Sequence, residues 1–208
     1  MAIFILLAVG VLYLTIWPHE LGHSSVAYLF GCKANWWQTD MSWFLWNSRG
    51  GQIDYGCLRA RGGAALGLTD FAGIIVNLAF LALAPLVGRW WRTDLRSNGS
   101  RWEWVFLTTF LWALANYAEA FSYLVLNTIL LKSDMETVVI VSGISRWVWL
   151  GAGFLLAVLI GRLLRQPALR AAVVLAAPRG STRAWLRAFV LYVVVVSGAM
   201  GAARIILT

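Results

Sequence analysis

Apolar residues in this chain gather into runs long enough to cross a lipid bilayer, and this limits the fold more than any other feature. About 20 consecutive apolar residues in a helix span the hydrocarbon core. Five stretches meet that length: Ala2–Phe30, Gly63–Val87, Trp104–Leu131, a span within Thr137–Leu164, and Trp185–Leu207. Inside lipid each backbone N–H must be satisfied within its own segment, so runs of this kind are helices. Of the 208 residues 61% are hydrophobic and only 12% are charged, roughly half the charged share of a soluble domain. The expected fold class is therefore an all-α polytopic membrane protein with about five transmembrane helices. The first run carries no basic leader and is too long for a cleavable signal peptide, so it is expected to stay as a span.

The segments between the runs carry the topology. Thirteen tryptophans suit membrane–water interfaces. They are dense between the first two runs, in CKANWWQTDMSWFLWNSRGGQIDYGCLRARGG. That segment is expected to form a short interfacial hairpin or a re-entrant segment. Its aromatic residues read first as a belt anchor, and second as an edge strand able to pair with an extended peptide. The net charge of +8 is read as topology and lipid-headgroup signal, and no nucleic-acid partner is expected. Arg89, Arg92, Arg96 and Arg101, with Arg162, Arg165, Arg170, Arg179, Arg183 and Arg187, fall on the side holding the N-terminus. Lys33, Arg49, Arg59, Arg61, Lys132 and Arg204 fall on the other side. The excess of basic residues favours the N-terminal side as cytoplasmic. Arg146 sits within the fourth run and must face protein, water or an acid, or else mark a break. The stretch from Arg165 to Arg183 is expected to be a basic loop, with a short surface helix as the alternative. Cys32 and Cys57 flank one loop and could bridge if it faces an oxidising space, but free thiols are the expectation, because two cysteines are too few to suggest a disulfide scaffold.

The only histidines, His19 and His23, lie four residues apart in HELGH, within the first run. Residues i and i+4 share a helix face, so both imidazoles can reach one cation. Glu20 is placed as a general base, as in the H-E-x-x-H pattern of zinc peptidases. Burying an acid and two imidazoles in hydrocarbon costs on the order of several kcal/mol unless they are paired or bound to metal. A catalytic zinc uses three protein ligands, so a carboxylate or a cysteine must complete the set. The candidates are Asp40, Asp54, Asp70, Asp94, Glu103, Glu119, Asp134, Glu136, Cys32 and Cys57. Depth in the bilayer removes Asp94 and Glu103, disfavours Glu119 and Cys32, and leaves Asp134 with Asp70 as its rival. Asn77 is read either as an amide bonding between helices or as a group that polarises a substrate carbonyl. Asn116, Glu119 and Asn127 form a polar stripe on the third run.

HELGH, GIIVN (Gly73–Asn77) and NTILLKSD (Asn127–Asp134) together resemble the motifs of the site-2 protease family of intramembrane zinc metallopeptidases. Ile74 stands where that family usually has proline, and Ser133 and Met135 flank the aspartate where proline and glycine are usual. The resemblance covers roughly the first 140 residues. It implies a three-helix catalytic core, taken here as residues 1–136; residues 137–208, read from their apolar runs as two further transmembrane helices with a basic connecting loop, match no motif of the family. It implies Zn2+ held by His19, His23 and Asp134, with Glu20 as base and Asn77 near the substrate. The implied partner is a transmembrane helix of a membrane-protein substrate, and the resemblance leans toward a cut on the cytoplasmic side. The implied location is the plasma membrane of a prokaryote. The competing expectations are a zinc-stabilised scaffold that binds partner helices without cleaving them, and an ion transporter, which would need a polar path open to both sides.

Overall fold

The structure is a computed structural model and describes residues 2–40, 51–90 and 100–176. These residues are mainly helical, and no strand forms among them. Helix α1 spans Ala2–Leu29, α2 Tyr55–Arg61, α3 Gly63–Trp90 and α4 Ser100–Phe121. A π-helical stretch, Ser122–Asn127, leads into the single turn α5, Thr128–Leu130. Helix α6 covers Ser133–Ser142 and α7 covers Arg146–Ala176. Among the described residues, two segments are long and apolar enough to cross a membrane, Gly63–Leu83 of α3 and Arg146–Arg165 of α7.

Helix α1 carries Pro18 in its interior. Proline has no N–H, so the carbonyl four residues earlier, that of Leu14, loses its helical donor. The indole of Trp112 on α4 supplies one instead, with Nε1 donating to Leu14 O at 3.2 Å. One residue along, Asn116 donates to Thr15 Oγ1 at 3.4 Å. The proline thus opens a polar joint in α1, and α4 fills it. Further contacts run in the same order, ending with Tyr123 stacked on His19, so α4 lies parallel to α1.

Helix α3 runs antiparallel to α1, since His23 meets Thr69 while His19 meets Asn77. The two backbones approach closely at Gly22, where an added Cβ would stand 2.9 Å from the carbonyl oxygen of Ala72. Small residues at such crossings let helices pack without a hydrophobic driving force. Helix α7 is antiparallel to α4, with Tyr117 donating to Ala157 O at 3.2 Å. Ile74, Tyr123, Leu124, Met135 and Val138 form the main buried cluster, so α3, the π-helical stretch and α6 share one core.

Helix α1 ends in a left-handed cap. Gly31 has φ 71°, its N–H donates to Tyr28 O, and the N–H of Cys32 donates to Ala27 O. This pair of bonds is a Schellman ending, which favours glycine at that position. It delivers Cys32 to α2, where Cys32 and Cys57 form a disulfide. The expectation of free thiols is therefore corrected. Two cysteines in sequence carry no information on pairing. The cap at Gly31 and the bond from Asp54 N to Cys32 O bring their Cα atoms to 5.5 Å, within disulfide range. Asp54 caps α2 through Cys57 N at 2.9 Å.

The third run ends near Leu131, as expected: its helical course stops at Leu130 and Leu131 takes a left-handed conformation. The chain breaks at Leu131 (φ 49°) and Ser133 (φ 58°) and then continues as α6 toward the end where α3 begins, where Val141 meets Gly63 and Gly67. Residue 136, the expected end of the core, lies inside α6. The fourth long helix starts only at Arg146, after Gly143 (φ 64°) closes α6. Arg146 thus marks a break, and its guanidinium sits 4.8 Å over the ring of Trp147. Helix α7 also runs on past Arg165 to Ala176, because Ala, Leu and Arg are strong helix formers, so the first half of the expected basic loop is helical. In the Trp-rich segment the described parts form turns, one isolated bridge at Asp40 and helix α2. Residues 41–50 of that segment and the run Trp185–Leu207 lie outside the described residues.

Candidate metal centre

His19 and His23 both point from α1 toward α3. Nε2 of one lies 3.0 Å from Nε2 of the other. Oδ2 of Asp134 completes the group, 3.4 Å from His23 Nε2 and 3.8 Å from His19 Nε2. Among the described residues, these three form the one group of histidine, cysteine and acidic side chains that could hold a metal ion. The break after α5 brings the acid there. The left-handed residues Leu131 and Ser133 start α6 beside the imidazoles rather than beyond them, and Asp134 falls in its first turn. Asp70, the rival ligand, is buried on α3 outside the group and hydrogen-bonds Thr137 on α6.

The donor atoms suit a cation. A tetrahedral site with bonds of about 2.0–2.1 Å has ligand–ligand edges of about 3.3–3.4 Å, and the three separations found here lie to either side of that length. Asp134 Oδ2 is buried and has no hydrogen-bond partner, which is costly unless something positive meets it. Space has also been kept clear. A Cβ on Gly73 would stand 2.6 Å from Nε2 of both His19 and His23, so only glycine lets α3 pass behind the paired nitrogens.

The far edges of the imidazoles are held by α3. His23 Nδ1 lies 2.7 Å from Thr69 O, a fixed acceptor, which puts the proton on Nδ1 and leaves Nε2 as a lone pair. Nδ1 of His19 lies 3.1 Å from the side-chain nitrogen of Asn77, while Asn77 Oδ1 is buried without a partner. Turning that amide end for end places Oδ1 where it accepts from His19 Nδ1, and His19 then offers Nε2 in the same way. Partners of this kind orient the ligands of metal sites. Tyr123 covers the His19 ring, with centroids 4.9 Å apart.

His19 is 1% exposed and the Asp134 side chain 20%, so the centre is reached from the Asp134 side. Glu20 is buried and lies within electrostatic reach of both imidazoles, of Asp134 and of Glu119. The polar stripe on α4 is divided. Asn116 joins α4 to α1. Asn127 is buried beside the break, with Nδ2 unpartnered and its carbonyl accepting from Lys132 N at 3.1 Å.

The sequence reading named His19, Glu20, His23, Asp134 and Asn77. It missed the Thr69 carbonyl, for which a sequence carries no signal, and Tyr123, one of many aromatic residues in the apolar runs. No family model, curated protein or solved structure matches the chain.

Proposed function

We propose that the chain is an intramembrane zinc metalloendopeptidase of the site-2 protease type, hydrolysing a peptide bond in or near a transmembrane segment of a membrane-protein substrate. The observation that carries this reading is the meeting of Asp134 Oδ2 with Nε2 of His19 and of His23, with Glu20 beside them. In this reading the protein is multi-pass, with about five spans, and sits in the plasma membrane of a prokaryote. Exposed apolar side chains along α7, among them Trp147, Val148, Phe154, Leu155 and Leu163, support a lipid-facing surface, since a soluble monomer rarely exposes so continuous an apolar face.

His19, His23 and Asp134 would hold the zinc, which when bound supplies Lewis acidity toward water and the scissile carbonyl. Glu20 takes a proton from the attacking water and delivers it to the leaving amine. The Thr69 carbonyl and Asn77 keep the two imidazoles in the tautomer that leaves Nε2 free. A helical substrate hides its carbonyls in bonds to residues four positions on, so its span must unwind locally before it can be cut. The alternative, a zinc-stabilised scaffold, gives Glu20 no task. The two readings separate on Glu20→Gln in purified protein with a transmembrane peptide. The peptidase reading expects cleavage to vanish while zinc is retained. Undiminished cleavage by that variant would remove Glu20 from the mechanism.

A further inference from the structure

The disulfide gives the fold a chemical direction. Protein disulfides form and persist in oxidising compartments, whereas cytosolic thiols are kept reduced. Cys32 follows the end of α1, and Cys57 lies in α2, just before α3 begins. The bond therefore marks the end of the bundle where α1 finishes and α3 starts. The metal-binding group lies beneath that same end. Helix α1 closes at Leu29, so at about 1.5 Å per residue His23 and His19 sit about 9 and 15 Å inside it. Asp134 joins them at the start of α6, which then runs outward to this end, where Val141 meets Gly63 and Gly67.

Basic residues among the described segments do not decide the direction: Arg89 near the end of α3, Arg101 at the start of α4 and Arg162, Arg165 and Arg170 on α7 lie toward the opposite end, while Lys33, Arg59, Arg61 and Arg146 lie toward the disulfide end.

We infer that the disulfide-bearing end faces the non-cytoplasmic, oxidising compartment, and that the His19–His23–Asp134 centre opens to it. The orientation stands on the disulfide alone. What it means for substrate rests on the peptidase reading. The substrate class is a membrane protein whose span unwinds in its outer half, with water entering and the soluble product leaving on the outer side. This is the reverse of the cytoplasm-side cut that the family resemblance implies.

The test uses the full chain in intact bacterial cells and a membrane-impermeant maleimide. In the wild-type chain Cys32 and Cys57 should stay unlabelled until a reductant is added. Ile144→Cys, exposed in the loop between α6 and α7 at the disulfide end, should be labelled in intact cells with no gain on lysis. Arg165→Cys, exposed toward the other end of α7, should be labelled only after lysis. Both reporters are also placed in a Cys32→Ser/Cys57→Ser background, so that exchange with the native pair cannot mask them. Free native thiols in intact cells, or the reverse labelling of the two reporters, would overturn the orientation. Zinc content of the same purified proteins is read separately. Correct labelling without zinc removes the peptidase reading and leaves the orientation standing, whereas zinc with reversed labelling removes the orientation alone.

Discussion

The side-chain amide of Asn77 on α3 faces Nδ1 of His19 on α1 at 3.1 Å, on the ring edge away from His23 and Asp134. That contact makes Asn77 a positioning residue for the imidazole. Asn77→Ala is expected to weaken zinc binding by roughly 10–100-fold, as the loss of such outer partners does. Asn77→Asp keeps an acceptor for Nδ1–H and should retain most of the affinity. Competition titrations with a chelating dye read both variants. Unchanged zinc affinity in Asn77→Ala, with slowed cleavage, would move Asn77 to the substrate side of the site.

The joint at Pro18 makes a second prediction, on stability. Trp112→Phe removes the donor to Leu14 O while keeping an aromatic ring, and should cost about 1 kcal/mol. Pro18→Ala restores a backbone N–H that can bond the same carbonyl. In that background the cost of Trp112→Phe should shrink, giving a coupling of about 0.5–1 kcal/mol in a double-mutant cycle. Equal costs in both backgrounds would show that the indole does not serve the carbonyl freed by the proline.

The Cys32–Cys57 bond closes a loop with a sequence separation of 25. Chain-entropy arguments put its stabilisation at roughly 3 kcal/mol. For a chain of this size that corresponds to a fall in Tm of about 6–12 °C on reduction. Thermal unfolding in detergent, with and without reductant, measures it. An unchanged Tm would mean that the cap at Gly31 and the Asp54–Cys32 bond hold α1 to α2 unaided.

Much of the site was legible because its strongest signals are local. The spacing of His19 and His23 fixes their shared face on any helix, and the length of the apolar runs places Asp134 near their depth. Other features depend on contacts between distant segments. The polar residues Lys132, Ser133 and Asp134 end the third run where the sequence places its end, but nothing in the sequence sets Ser133–Ser142 apart from the following run as a separate helix packed on α3. Pro18 announces a missing donor in α1, but nothing in the sequence selects Trp112 among thirteen tryptophans to replace it. The disulfide was misread for a similar reason, since pairing is a property of the cap geometry at Gly31 and of α2.

The central claim is that two imidazoles of α1 and the carboxylate of α6 bind one ion, and metal analysis of purified protein tests it most directly. About one zinc per chain should be present in the wild type and in Glu20→Gln, and zinc should be lost from Asp134→Ala, because a site left with two protein ligands falls short of the three that catalytic zinc uses. A wild type that takes up no zinc, or an Asp134→Ala protein that holds as much zinc as the wild type, would contradict the account.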